Sequence, residues 1–206
     1  APGDVRPDLS PHRFRILTPP NDRFWADPFP IHVNGKDYVF FEEYLDATGL
    51  GHISVFEVDE KGEASAPRTV IQRDYHLSYP FVFRWHDRLW MIPECAATGR
   101  VELWRAERFP DQWVLDRVLL EGRALVDVTL AEIDGRWWMF AAESESGGES
   151  WDELVLHHAE SPLGPWTPHR RNPVLSDVRS ARPAGRIFRS GDHWYRPSQD
   201  GSRTYG

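Results

Sequence analysis

Acidic side chains recur in this sequence beside short, aromatic-rich apolar runs. Asp27 stands in RFWADPF, walled by Phe24, Trp25 and Phe29, and Asp127 stands in LVDVTL beside Leu125, Val126 and Val128. A carboxylate in such company is pushed toward its neutral form and can activate a water molecule. Without donors or an open cavity it would be costly to place there. The alternative for both is a turn aspartate bound to backbone N–H groups, and Asp27 stands before a proline, a common turn pairing. Three glutamates, Glu43, Glu94 and Glu143, close the aromatic runs YVFFEE, LWMIPE and WWMFAAE. Glu94 is the first candidate for a proton donor; packing against an arginine or backbone N–H is the alternative for all three.

These acids belong to a repeat. ADPFPIHVNGKDYVFFEE from Ala26, SYPFVFRWHDRLWMIPEC from Ser78 and VDVTLAEIDGRWWMFAAES from Val126 share one plan: an apolar strand, a polar turn, then an aromatic strand. A fourth copy, RPAGRIFRSGDHWYRPSQ from Arg182, ends on Gln199. The recurrence is about 50 residues, within the range of propeller blades. Third strands follow at HISVFEV, RVELWRA and ELVLHHA, and fourth strands at PRTVIQR, QWVLDRVLL and WTPHRRNPVL. Four antiparallel strands per unit, set around an axis, predict an all-β propeller, with a β-sandwich as the alternative. The units fall at 24–72, 76–122, 125–175 and 180–206 of a single domain over 1–206, with a closing strand at 12–20. Three units and half of a fourth leave an unpaired edge, so a further segment or a second chain is expected to complete the ring.

Inner strands that enter at an axis point their first side chains into the central cavity. Asp27 and Asp127 take that place, and His76 and Tyr79 open the second inner strand. Trp25, beside Asp27, is the better candidate for stacking on a ligand, and Phe24 is a further ligand-contact candidate. Trp90, Trp138 and Trp194 hold matching mid-strand places and are read as core.

The formal charge of −8, with no block of Lys or Arg, argues against nucleic acid or an anionic membrane as partner and suits a neutral or cationic ligand. The single cysteine, Cys95, has no CxxC partner. No apolar run approaches the about 18 residues of a membrane span. The start, APGDVRPDLSPH, lacks Met and a signal-peptide core and reads as a trimmed or mature end, which leaves the compartment open. Glycine-rich phosphate loops and GxSxG are missing, as are HxH and HExxH, so no cofactor and no protein-built metal site are expected. His157 and His158 are neighbours on a strand and point to opposite faces. ESESGGESWDE reads as a solvated hairpin tip without calcium-loop spacing.

The WADPF opening, the VDVTLAEIDGRWWMF unit and SPLGPWTPH resemble the five-bladed β-propeller glycoside hydrolases of family 43 and its relatives. More closely, ADPFPI, RPAGRIFR and RPSQDGSRTYG resemble the N-terminal propeller domain of glucosamine inositolphosphorylceramide transferase, which also occurs in bacterial proteins. The resemblance runs from about Phe24 to Gly206. It implies five blades and an axial funnel holding three acids: a base, an aspartate that tunes the donor, and a glutamate donor. Asp27 matches the base and Asp127 the tuning acid. At the donor's place this chain has SARPAG, with Arg182, which cannot give up a proton at neutral pH. Arg182, with Arg196 and Gln199 of YRPSQD, suits polar ligand binding instead. The leading expectation is a glycoside hydrolase-like propeller acting through Asp27, Asp127 and Glu94, with Trp25, Phe24, His76, Tyr79, Glu143, Arg182, Arg196 and Gln199 holding the sugar. The alternative is a silent glycan- or sugar-nucleotide-binding domain that serves a glycosyltransferase.

Overall fold

The computed structural model describes residues 16–143 and 152–203. The first sheet holds β1 (Arg23–Val33), β2 (Lys36–Leu45), β3 (Leu50–Val58) and β4 (Arg68–Ile71), paired in that order. The second repeats the plan with β5 (Ser78–Trp85), β6 (Arg88–Glu94), β7 (Arg100–Arg108) and β8 (Gln112–Glu121). The third has β9 (Leu125–Ile133), β10 (Arg136–Glu143) and β11 (Glu153–Ala159), whose outer edge carries the two-residue strands β12 (Thr167–Pro168) and β13 (Leu175–Ser176). The fourth unit is a hairpin of β14 (Phe188–Ser190) and β15 (His193–Tyr195). All pairings are antiparallel.

Local chemistry sets these elements. Asn34-Gly35 and Asp134-Gly135 both take positive φ (51° and 79°; 52° and 73°), the two-residue turn whose twist matches a hairpin. The outer strand expected over WTPHRRNPVL is broken. There the Asn172 side chain takes the place of a strand residue, accepting from the Leu156 N–H at 2.9 Å and donating to its carbonyl at 2.8 Å. Pro173 follows and has no N–H to offer a ladder. The closing strand expected over 12–20 is not formed over 16–20, and 12–15 lie outside the described residues, as does 144–151 of the ESESGGESWDE loop.

The sheets stack face to face in chain order. Phe29 of the first meets Tyr79 and Phe81 of the second edge-on, at 4.8 and 5.7 Å between ring centroids. Tyr38 and Phe40 are covered by Phe109 and Trp113, which stand at the turn between β7 and β8, at 4.8 and 5.6 Å. Trp137 of the third sheet reaches Phe83 of the second at 6.1 Å. The innermost strands β1, β5 and β9 lie together, and their leading ends line one cavity with Arg182 of the fourth unit. The result is an open β-propeller, with the sequential sheets radiating from a common pit.

Trp113 is buried, and its indole N–H donates to the Pro110 carbonyl at 2.7 Å. Trp113→Ala is expected to cost about 3–5 kcal/mol. Urea unfolding would show this as a lower midpoint at unchanged slope.

Candidate functional site

The pit is built by one backbone device used three times. In β1, β5 and β9 the pairing with the next strand shifts register at the leading end, between Ala26 and Phe29, between Ser78 and Phe81, and opposite Phe140 and Ala142. The extra residue of each bulge is Asp27, Tyr79 or Asp127, with φ of 50°, 41° and 55°. Left-handed backbone is tolerated by aspartate and unusual for tyrosine. Arg182 stands at the matching place of the fourth unit, in ARPA against ADPF and SYPF.

These four side chains line a cavity of about 260 Å³ together with Phe29 and Gln199. Tyr79 joins its walls. Its N–H donates to Asp27 Oδ2 at 3.3 Å. Its hydroxyl accepts from the Gly185 N–H at 2.7 Å and lies 2.8 Å from Thr129 Oγ1, which itself donates to the Asp127 carbonyl at 3.1 Å. With the Thr129 proton so used, the Tyr79 hydroxyl donates to Thr129. Burial pushes that phenol well above its ordinary value, so it stays neutral.

Asp127 is buried, and the Arg182 guanidinium donates to it from Nε. Glu94 stands part-exposed at the end of β6. Burial pushes Glu94 above the usual carboxylate range and the Asp127 charge adds to it, while Arg182 opposes. Burial likewise raises Asp127 against the pull of Arg182. The two acids titrate as a pair. Burial also raises Asp27, opposed by the Tyr79 N–H and then by Arg182 and His76.

One acid of the pit was not among the sequence candidates. Ala26 pairs with Glu42, Ser78 with Glu94 and Val126 with Ala142. Glu42, rather than Glu43, therefore matches Glu94. The signal was present, since both are the seventeenth residue of their repeats counted from Ala26 and Ser78; the double glutamate at 42 and 43 concealed it. Glu42 is buried, and burial followed by the charges of Asp27 and Asp127 pushes it up to about 8. His76 accepts from the Gly51 N–H at Nδ1 (3.0 Å), so its proton sits on Nε2, 3.4 Å from Glu42 Oε1. Gly51 makes room for this contact: a Cβ there would meet Glu42 Oε1 at 2.6 Å and the Leu77 carbonyl at 2.6 Å.

The pleat sends the remaining glutamates elsewhere. Glu43 accepts from Arg23, Trp25 Nε1, Ser54 and His52 on the opposite face of the first sheet. Trp25 goes with it, packed against Phe41 and Phe56 away from the pit. Glu143 pairs with Arg123 and not with the pit residues. Phe24 lies on the Glu42 face, 45% exposed and stacked on Tyr44 at 4.6 Å, with Tyr44 6.2 Å from His76. Arg196 donates to the Ser180 and Ala181 carbonyls, which fixes the approach to Arg182. Gln199 lines the pit, and its backbone N–H donates to the Arg182 carbonyl at 3.0 Å. Among the described residues, no group of three His, Cys, Asp or Glu has the geometry to hold a metal ion.

The fold is the propeller fold seen in glycoside hydrolases. Solved structures with this architecture include an exo-β-1,3-galactanase from Clostridium thermocellum, with a TM-score of 0.67, 13% identity and 82% of this chain aligned to 39% of that one. A thermostable family-43 glycoside hydrolase aligns over 88% of this chain and 68% of its own, with a TM-score of 0.61 and 15% identity. At such identities the likeness is one of fold. The chain belongs to the family described as glucosamine inositolphosphorylceramide transferase 1, N-terminal, which matches residues 17–206. Glucosamine inositolphosphorylceramide transferase 1 of Oryza sativa subsp. indica is 38% identical over 188 residues, covering 89% of this chain and 25% of that protein. The Arabidopsis thaliana protein is 36% identical over 188 residues, 24% of its length. The chain thus spans about a quarter of the curated relatives it matches.

Two outcomes follow from the charges. A carboxyl raised in the folded state stabilises the fold while protonated, so the contribution of Glu42 is complete below about 4.5 and lost as pH rises through about 8. Urea titrations across that window should show wild type losing stability more steeply than Glu42→Gln. Arg182→Met leaves buried acids without their cation and should cost about 3–5 kcal/mol. In a double-mutant cycle, Asp127→Asn with Arg182→Met should lose less than the sum of the single changes.

Proposed function

We propose that the axial pit is a carbohydrate-binding site in a propeller that does not itself cleave glycosidic bonds. The observation that carries this reading is the contact between Arg182 and Asp127. The position from which the resembling hydrolases supply a donor glutamate here supplies a permanent cation, bound to the acid that would tune the donor. What is left facing the cavity suits hydroxyl recognition: Asp27, whose carboxylate accepts from the Tyr79 N–H, and the Gln199 amide. A volume of about 260 Å³ sits just under the about 300–1,000 Å³ of small-ligand pockets and suits one sugar ring. The stacked Phe24–Tyr44 pair, on the Glu42 face, offers a platform for a second ring. The longer relatives are named as transferases, which fits a propeller that holds a glycan or sugar nucleotide for chemistry done elsewhere in the protein.

A second reading, hydrolysis with Asp27 as base and Glu94 as acid, is favoured by the burial and neighbouring charge that push Glu94 up to about 8. Calorimetric titration with neutral, amino and acidic sugars, together with aryl-glycoside turnover, separates the two. Binding without turnover is expected. Asp27→Asn should weaken binding by about tenfold or more, the worth of a hydrogen bond to a charged group. Phe24→Ala should weaken longer glycans by about threefold to tenfold and monosaccharides little. No heat with any sugar, from protein with intact near-ultraviolet circular dichroism, would remove the binding reading. Turnover that survives Asp27→Asn would remove the proposed base.

A further inference from the structure

The second strand of each of the first three sheets opens on a cation. Lys36, Arg88 and Arg136 match by register, each opposite the last residue of its inner strand, Val33, Trp85 or Ile133. Lys36 is met by Glu57 at 3.0 Å, and Arg136 by Glu160 at 3.8 Å. Arg88 has no ion-pair partner among the described residues. The reason lies one strand away. Glu57 stands opposite Tyr38, and the same place in the second sheet, opposite Trp90, holds Arg105. A guanidinium has taken the position of the carboxylate. Arg105 turns to Asp116 at 3.7 Å, which Arg117 shares at 2.8 Å. Even with Asp87 of the turn counted, three guanidinia stand with two carboxylates, and the surplus cation is Arg88.

Arg88, Asp116 and Arg117 line a hollow of about 320 Å³ at the turn end of β5, the opposite end of that strand from Tyr79 and the pit. Trp85, Trp90 and Leu163 give it apolar walls. The turn itself departs from its counterparts. Where the first and third hairpins close on Asn-Gly and Asp-Gly, this one closes on His86-Asp87. The His86 ring lies on Trp85 at 4.2 Å between centroids, and Trp85 stands 6.2 Å from Trp90 at 58°. Trp90 is 3% exposed, and its indole N–H meets no acceptor among the described residues. Buried donors in native proteins are nearly always satisfied. The hollow thus combines an aromatic corner, an orphaned donor and an unpaired cation. Its volume lies within the about 300–1,000 Å³ of small-ligand pockets.

We infer that this hollow is a second binding site, which takes a carboxylate carried on a ring, as in a uronic acid sugar or an aromatic acid. The planar guanidinium of Arg88 matches a carboxylate with two parallel hydrogen bonds. Asp116, already held by two other guanidinia, does not compete for it. The ring of the ligand packs against Trp85, and an acceptor brought alongside Trp90 completes its N–H. The site is separate from the pit and does not depend on the ligand assigned there.

The test follows the indole N–H signals of the full chain by proton–nitrogen correlation spectroscopy, with Trp85→Phe and Trp90→Phe assigning their own signals. Glucuronate, benzoate, glucose and inorganic phosphate are the probes. Glucuronate or benzoate is expected to shift the Trp85 and Trp90 signals, and glucose and phosphate are not. A response to glucuronate alone makes the ligand a uronic acid, and a response to benzoate alone makes it an aromatic acid; either supports the site. Arg88→Gln should weaken that binding at least about tenfold, as for the loss of a charge-assisted hydrogen bond. Arg136→Gln, at the matching cation that already has a partner, should leave it unchanged. Indole signals elsewhere that stay in place certify the fold of both variants. No shift with either carboxylate, an equal shift with glucose or phosphate, or equal weakening by the two variants overturns the inference.

Discussion

The pit exists because three inner strands accept a left-handed residue at the same place. Such a conformation costs about 1–3 kcal/mol for a residue other than glycine, and it persists only where its surroundings enforce it. Tyr79 shows how. Its backbone N–H holds Asp27 of the preceding sheet, and its hydroxyl gathers Thr129 of the following sheet and the Gly185 N–H of the fourth unit. One residue, through its backbone and its side chain, therefore ties four units at the axis. Inner-strand leading ends that would otherwise run past each other are turned so that Asp27, Asp127 and Arg182 face one space.

That space concentrates charge. Asp27, Glu42, Glu94 and Asp127 interact within it, with the Arg182 guanidinium among them. Burial, with the neighbouring carboxylate charges adding to it, raises Glu42 and Glu94 above the usual carboxylate range. A resemblance to hydrolases locates the acids, and the surroundings of each decide what it can do. Asp127 answers to an arginine, Glu94 is raised by burial and by the Asp127 charge, and Asp27 keeps the more open approach of the two aspartates. The propeller architecture alone would have supported several chemistries.

Much of this was legible in the chain. The repeated strand–turn–strand units fixed the sheets because alternation and turn chemistry are local signals, and Asn34-Gly35 and Asp134-Gly135 marked their hairpins directly. Asp27 and Asp127 could be placed at inner-strand leading ends for the same reason. Side-chain direction was harder, because one bulge residue reverses the pleat. Trp25 sits beside Asp27 in sequence yet joins Glu43 on the opposite face, and Glu43 took the place that register gives to Glu42. Arg196, read as a ligand contact, holds the Ser180 and Ala181 carbonyls, a backbone role that leaves no sequence signal. The outer strand of the third sheet was invisible as two fragments, because a side-chain amide standing in for backbone leaves no periodic trace.

Gly51 carries a consequence beyond the pit it borders. The glycine is needed not for its φ but for the absence of a side chain, since Glu42, His76 and the Leu77 carbonyl converge on the space a methyl group would occupy. The strand that bears it is second from the edge of its sheet and contributes no group to the cavity lining. Drift at position 51 would therefore be constrained by an acid on a neighbouring strand. Lineages that shed the glutamate would regain the freedom to enlarge the glycine, and the two positions should change together or not at all.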